Sequence, residues 1–466
     1  MSTRLTFMRY KQMRWRYIFI FYQYSTKQSM QLIQSVDELI TNNELKHKHH
    51  PGIRKPREVE QPSWLLNAIK IILHDEKISQ NKLNEDSKKL EAHILNRRLP
   101  LEKEDIKYKL DLVASKYEQA TGESLSDTEL DDDPKAMKIF KSVVYNWEPI
   151  NYDKYTSLTY VIRRSVPEYT VLYKIFSEIA NSDKSFIPTT LFDFGSGTGT
   201  VMWAASQFWV DSIKEYYCID VSKHMNNLSE YLIKNATPNI NPSYIFYRQF
   251  FPASPVPTYD IVVSAYSLFE LPNQNARLEM ISKLWQKTQH YLVIVEKGTN
   301  AGFTIINEAR DFVLSQKNKR SVHVFSPCPH DLQCPRYTTD DTPCNFEINY
   351  MTLRIGETCK TNKERYSYVV LKKGERPEND INWPRIVRPV LKRSKHVLCR
   401  VCTASGELQE HIFTTWKNGK NTYRCARSSE WGDQLPFQPV EIEETEETKD
   451  NTKSTEEEIK ETREAE

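Results

Sequence analysis

Leu191-Phe192-Asp193-Phe194-Gly195-Ser196-Gly197-Thr198-Gly199-Thr200 joins an apolar run to a glycine-rich turn, and the rest of the chain is arranged around that junction. The run from Phe186 to Phe194, interrupted by Pro188-Thr189-Thr190, predicts a buried strand. After the glycines, Val201, Ala204, Ala205, Phe208 and Trp209 recur at helical spacing. Glycine lets the backbone turn sharply and approach a ligand, and the first N–H groups of the following helix then face that ligand. A strand, a glycine turn and a helix in this order predict a cradle for an adenosine cofactor on a doubly wound sheet.

The next strands extend the pattern. Glu215-Tyr216-Tyr217-Cys218-Ile219-Asp220 is a second apolar run ending in an acid, about twenty residues beyond the glycines, where a carboxylate reaches ribose hydroxyls. Tyr259 to Tyr266 and Tyr291 to Glu296 are further strands, with a helical segment from Gln274 to Lys287 between them. Strands alternating with helices predict a parallel α/β sheet. The Asp-Phe-Gly-x-Gly-x-Gly form with an acid at the next strand end resembles class I methyltransferases. That resemblance implies S-adenosylmethionine at Asp193, Gly195, Ser196, Gly197, Thr198, Gly199 and Asp220, with a dinucleotide such as NAD as the alternative.

At 466 residues the chain has room for two or three domains, and its net charge of +2 conceals a basic start and an acidic end. Eight cysteines at irregular spacing do not form a disulfide framework. No apolar run reaches membrane-spanning length. Residues 1–36 carry Arg4, Arg9, Lys11, Arg14, Arg16 and Lys27 with no acid before Asp37, as a mitochondrial presequence does. Residues 37–62, with His47, His49 and His50, read as a linker, and 63–180 as a helical region. Within it Leu101–Gln119 and Pro134–Trp147 are predicted helices, and Pro167 with Glu168 suits a helix start. Arg163 and Arg164 are read as phosphate contacts or as solvated charges. A class I methyltransferase-like domain is expected over 181–375, a basic β-rich extension over 376–436, and a disordered acidic tail over 437–466.

Inside the 326–346 insertion the cysteines Cys328, Cys334 and Cys344 follow a Cys-x5-Cys-x9-Cys spacing among prolines and His330. So proline-rich a loop has little to bury, and a metal or cluster is the physical candidate for ordering it. The spacing matches neither a zinc ribbon nor a common ferredoxin run, so zinc and an iron–sulfur cluster both remain open. The fourth ligand is Cys399, Cys402 or His330. Between Ile381 and Gly406 there is no acid, while Arg385, Arg388, Lys392, Arg393, Lys395 and Arg400 form a single-sign stripe with Lys417, Lys420, Arg424 and Arg427 following across a hairpin. An extended basic stripe suits a phosphate backbone, and RNA suits it better than DNA because no recognition helix is visible.

Several motifs together resemble the mitochondrial small-ribosomal-subunit-associated methyltransferase-like family, over about residues 140 to 436. They are Asp193 to Gly199, Arg163-Arg-Ser-Val-Pro-Glu-Tyr169, Val295-Glu-Lys-Gly-Thr-x-x-Gly-Phe303, Cys328-Pro-His-x3-Cys-Pro335, Pro384-Arg-Ile-x-Arg-Pro389, Tyr423-Arg-x-Ala-Arg427 and Trp431-Gly-Asp433. The family pattern has Pro where this chain has Lys297. The resemblance implies a mitochondrial matrix protein that binds the small ribosomal subunit, its rRNA and its proteins, during assembly. It is expected to be monomeric elsewhere and to bind neither DNA nor membrane. The resemblance also implies a 4Fe–4S cluster on Cys328, Cys334, Cys344 and Cys402. Base N-methyltransferases of this fold carry an Asn/Asp-Pro-Pro-aromatic turn where this chain has Ser264-Ala265-Tyr266-Ser267, so a cofactor fold without methyl transfer is expected, with an active rRNA methyltransferase as the alternative. A sensor that gates assembly through the cluster is compatible with the first.

Overall fold

The computed structural model describes residues 28–441, apart from 101, 123–124, 126–132, 144–148, 237–238, 253–256, 317–320, 340–341 and 378–381. Strands β1 (Gln28–Leu32) and β2 (Glu58–Val59) come first in the chain, and β2 forms one edge of the central sheet. The sheet itself is built from β3 (Thr190–Phe194), β4 (Glu215–Ile219), β5 (Ile245–Arg248), β6 (Tyr259–Ala265) and β7 (Thr288–Lys297), all parallel in the order β5-β4-β3-β6-β7. Next come β8 (Val322–Ser326), β9 (Phe346–Met351) and β10 (Thr361–Lys373), with β10 antiparallel to β7 and carrying both β8 and β9.

The order reverses between β3 and β6, and a ligand crevice forms at such a switch point. Register aligns the strand ends there: Phe194 lies opposite both Ile219 and Ser264, and Ala265 opposite Val295. Helices cover both faces, so β6 and β7 are near-continuous buried apolar runs. One core packs Phe176, Leu191, Trp203 and Val293, and the other packs Phe192, Val262, Leu292 and Val324.

The helix ahead of β3 runs unbroken over Lys154–Ser182, with Pro167 inside it rather than at its start. Asp153 caps its beginning by accepting from Thr156 N at 2.7 Å. Burial of residues on both sides of Pro167 offsets the backbone bond that proline removes. The helices read as Leu101–Gln119 and Pro134–Trp147 are found at Lys103–Thr121 and Pro134–Val143. The first strand is confined to Thr190–Phe194.

The C-terminal unit is a small antiparallel sheet of β11 (Arg385–Ile386), β12 (Leu391–Lys392), β13 (His396–Cys402) and β14 (Leu408–Thr414). β13 and β14 form the expected hairpin, but Lys417, Lys420, Arg424 and Arg427 stand on the helices Thr415–Asn418 and Lys420–Ser428 that follow it. The last strand, β15 (Phe437–Glu441), pairs antiparallel with β1. Met30, Leu32, Val36, Phe413 and Phe437 share that unit's core. Packed residues are thus found within both the stretch read as presequence and the stretch read as tail. Residues 1–27 and 442–466 lie outside the described residues. Residues 37–62 are packed rather than a bare linker: His50 is buried, with its Nε2 2.9 Å from Ser429 Oγ. Among the described residues no helix is long and apolar enough to cross a membrane.

Candidate cofactor crevice and cysteine centre

The glycine turn has the shape a nucleoside needs. Gly195, Gly197 and Gly199 have φ of 73°, 52° and 91°, a region that favours glycine. A Cβ on Gly195 would lie 2.3 Å from Ser267 Cβ, and one on Gly199 2.7 Å from Ser229 Oγ. Ile219 O anchors the turn by accepting from Gly195 N at 2.8 Å and Ser196 N at 2.9 Å. Asp220 accepts from Gly197 N at 2.9 Å and from Ser222 N at 2.8 Å, so the second acid is fixed against the first loop. Burial, with a smaller push from Glu270, raises its pKa against those two amides.

Asp193 is fully buried and neither carboxylate oxygen has a hydrogen-bond partner among the described residues; Ser196 Oγ and Thr198 Oγ1 are in the same state. Desolvation and Asp220 push the Asp193 pKa well above the carboxylate range. Unpartnered buried polar atoms carry a free-energy cost that a polar ligand relieves. The residues therefore fit adenosylmethionine: two carboxylates for its ammonium and hydroxyl groups, and a cradle with no side chain in the way.

The roof of the crevice comes from the helical region. Ser222 Oγ donates to Tyr152 O at 2.6 Å, and Ile150 N to Glu270 Oε2 at 3.2 Å. Beside them a cavity of about 30 Å³ is lined by Arg97, Tyr152, Tyr160, Tyr266, Glu296 and Lys297, room for a water or two. Tyr266 stands at the end of β6 with φ 57°, its buried hydroxyl unpartnered among the described residues, between Lys297 (Nζ 5.4 Å from the ring centroid) and Arg164 (Cζ 5.8 Å). Ser264 Oγ and Ser267 Oγ lie 2.7 Å apart, and Ser267 Oγ donates to Phe194 O at 3.0 Å. These hydroxyls tie strand ends together. Glu296 accepts from Leu268 N at 3.0 Å and Phe269 N at 3.3 Å; burial lifts its pKa to about 8 despite those amides.

Arg163 and Arg164 are neither phosphate contacts nor solvated. Arg164 is fully buried, bonded to Glu364 at 2.7 Å and Glu168 at 3.2 Å, and Arg163 reaches Glu91 at 2.5 Å. With Lys297, 3.7 Å from Glu364, they form an ionic floor beneath the crevice. The i,i+4 spacing of Arg164 and Glu168 was a visible signal for part of it. The roof residues Arg97, Tyr152 and Glu270 gave no local signal.

The structure brings Cys328, Cys334, Cys344 and Cys402 together. Burial raises the pKa of Cys334 to about 11 and that of Cys344 and Cys402 further. Neighbouring members of the group add to each shift: Cys328 for all three, Cys334 for Cys344, and both Cys334 and Cys344 for Cys402. Cys402 Sγ is 3.3 Å from His330 Nε2. Cys399 is three residues earlier on β13, hence on the opposite face, and is buried in the C-terminal core. Arg310 spans the loop, donating to His330 O at 3.1 Å and Leu332 O at 2.6 Å, and its charge lies near Cys328 and Cys334. Among the described residues no three Cys, His, Asp or Glu side chains are set to hold one ion.

Of the basic residues, Arg385 is inside the protein. It donates to Glu178 at 2.5 Å, Pro327 O at 3.0 Å and Gly432 O at 2.8 Å, so it is not a surface contact for phosphate. Lys392, Arg393 and Lys395 are exposed, and Arg388 is half-buried.

The strand order, the glycine turn and the acid after β4 define a class I methyltransferase fold. Within that class, the profile of the family described as Mitochondrial small ribosomal subunit Rsm22 matches residues 154–436, and the chain belongs to that family. It is 38% identical over 397 residues to the Homo sapiens protein named Ribosome assembly protein METTL17, mitochondrial, covering 84% of this chain and 86% of that one. It is 23% identical over 281 residues to Ribosome assembly protein RSM22, mitochondrial, of Saccharomyces cerevisiae, covering 38% of this chain and 44% of that one. Among solved structures, a putative RNA methyltransferase from Pyrococcus horikoshii aligns at 13% identity and a TM-score of 0.28, over 44% of this chain and 82% of that one. Magnesium protoporphyrin IX methyltransferase from Synechocystis PCC 6803 aligns at 12% identity and a TM-score of 0.30, over 53% and 97%.

Proposed function

We propose that this chain is an assembly factor for the mitochondrial small ribosomal subunit. It acts in the matrix as a monomer that joins the subunit through rRNA and ribosomal proteins, and it does not transfer methyl groups. The family membership supports the assembly role. The observation that carries the site is the convergence of four cysteines from separate segments beside the buried guanidinium of Arg310. The resemblance to the family implies a 4Fe–4S cluster on Cys328, Cys334, Cys344 and Cys402, and the grouping of these four thiols supports a shared metal or cluster there. The cluster would fasten the loop after β8 to the C-terminal sheet, whose outer residues Arg388, Lys392, Arg393 and Lys395 would face rRNA.

In the crevice, Asp193, the turn Gly195–Gly199 and Asp220 would hold adenosylmethionine, which supplies a sulfonium methyl when bound. Asp220 holds the turn in shape, and the roof at Ile150 and Tyr152 excludes water. At the acceptor position Tyr266 offers an aromatic face, with no carboxamide to hold an amine. An intact cradle with an unpartnered Asp193 favours a second reading, an active rRNA methyltransferase.

Two measurements test these readings. Anaerobically purified protein should contain about four irons and acid-labile sulfide per chain and should co-sediment with the small subunit; one zinc without sulfide rejects the cluster. Labelled methyl transfer from adenosylmethionine to small-subunit rRNA would replace the first reading by the second.

A further inference from the structure

The segment read as a linker lies on the helix Lys420–Ser428 and merges two basic stretches that are far apart in sequence. His50, buried, anchors it through Ser429 Oγ at 2.9 Å. Arg424 is a charged neighbour of His47, and Lys55 Nζ is 3.3 Å from His49 Nδ1. Arg427, three residues on from Arg424 and so its neighbour on the helix surface, donates to Arg393 O at 2.7 Å and lies near Lys392. Lys46, Lys48, Lys55, Lys420, Arg424 and Arg427 are all exposed. Of the acids nearby, Asp37 accepts from Asn421 at 2.9 Å and Glu430 and Asp433 are paired with Arg57, while Glu44 is exposed beside Lys46, so the cations outnumber the acids on this face. On the short helix Thr415–Asn418 just before this one, Trp416 is 54% exposed, an unusual state for the largest apolar side chain.

A predominantly basic surface with an exposed aromatic ring matches one ligand chemistry well. Lysine and arginine track phosphates, and an indole face accepts an unpaired base of any identity. A duplex would satisfy the charges but leave the ring unused, because its bases are stacked within the helix. We propose that the face formed by Lys46–Lys55 and Trp416–Arg427 binds a single-stranded RNA segment, its phosphates on the lysines and arginines and one base on Trp416. The choice of RNA rests on the assembly reading, which the 388–395 stripe alone did not localise.

The test uses the full chain and a labelled uridine-rich RNA of about twelve nucleotides, with anisotropy read at several salt concentrations. Lys48→Glu with Arg424→Glu should weaken binding by more than about tenfold and reduce the slope of log affinity against log salt by about 1.4, or about 0.7 per lost contact. Trp416→Ala should weaken binding by roughly tenfold and leave the slope unchanged. Lys70→Glu, on the helix Leu65–Asp75, should change neither. Thermal melts of each variant report folding. Wild-type affinity and slope in the folded double variant overturn the proposal, as does polyglutamate that binds as tightly as RNA. If the wild type binds no RNA yet co-sediments with the subunit, this inference falls and the assembly reading stands. If RNA binding follows the face but the subunit is not bound, the assembly reading falls and this one stands.

Discussion

Arg97 clasps Glu270 across the mouth of the crevice, with Nη2 3.0 Å from Oε2 and Nη1 on Oε1. Ile150 N donates to the same carboxylate, so one side chain just beyond β6 gathers two segments of the helical region over the strand ends. A ligand entering there must displace that clasp, and its measured affinity is reduced by the fraction of molecules that are open. Glu270→Gln removes the charge. For a partly exposed pair of this kind the release is worth at most about 1 kcal/mol, so adenosylmethionine should bind about two- to fivefold more tightly. Equilibrium dialysis with labelled adenosylmethionine decides the matter; an unchanged affinity would mean that the clasp does not control entry.

Asp220 holds two backbone amides at once, on the glycine turn and on Ser222. Asp220→Ala leaves both without an acceptor, at about 1–3 kcal/mol each when buried. The variant should lose adenosylmethionine binding and melt several degrees lower, by about 2–4 °C per kcal/mol. Association with the small subunit should persist, since the cysteine centre and the basic faces lie elsewhere. Calorimetric titration and subunit co-sedimentation on one preparation separate the two effects, and loss of both would tie subunit binding to the crevice.

The crevice was legible because its signals are local. The glycines between Asp193 and Thr200 and the acid at Asp220 follow from spacing alone, and register then brings them together. Arg385 was misread because its partner Glu178 is 207 positions away, and charge patterning cannot see a buried ion pair between distant segments. Pro167 was misread as a helix start because burial along Lys154–Ser182 outweighs a local breaker. The alternation of β13 could have separated Cys399 from Cys402, since odd spacing in a strand sends them to opposite faces.

That alternation gives a paired test. Cys402→Ser removes a thiol from the convergent group, and iron content and the cluster absorption should fall sharply in anaerobic preparations. Cys399→Ser replaces a thiol among Val397, Val401 and Phe413 with a hydroxyl. It should keep full iron content and instead lose about 1–3 kcal/mol of stability through an unpaired buried polar group. If the two phenotypes were exchanged, Cys399 would be the fourth ligand.

Glu178 supplies the clearest pH signature. Burial alone would raise its pKa, but Arg385 and Arg54 hold it down to about 2 in the folded protein, below the ordinary 4.5. A folded-state pKa below the unfolded one adds stability that is fully present above about pH 4.5 and is lost as pH falls toward about 2. Glu178→Gln should flatten the fall in melting temperature across that window. Arg385→Ala leaves the carboxylate buried with Arg54, 3.5 Å away, as a weaker partner. It should cost about 3 kcal/mol or somewhat more at neutral pH, the low end for breaking a buried pair, because Arg54 still compensates. The two effects must couple, so a double-mutant cycle by thermal denaturation should show Arg385→Ala costing far less in the Glu178→Gln background. RNA affinity should keep its salt slope in Arg385→Ala, since a guanidinium committed to Glu178 releases no counterions; a slope lowered by about 0.7 would instead return Arg385 to the RNA surface.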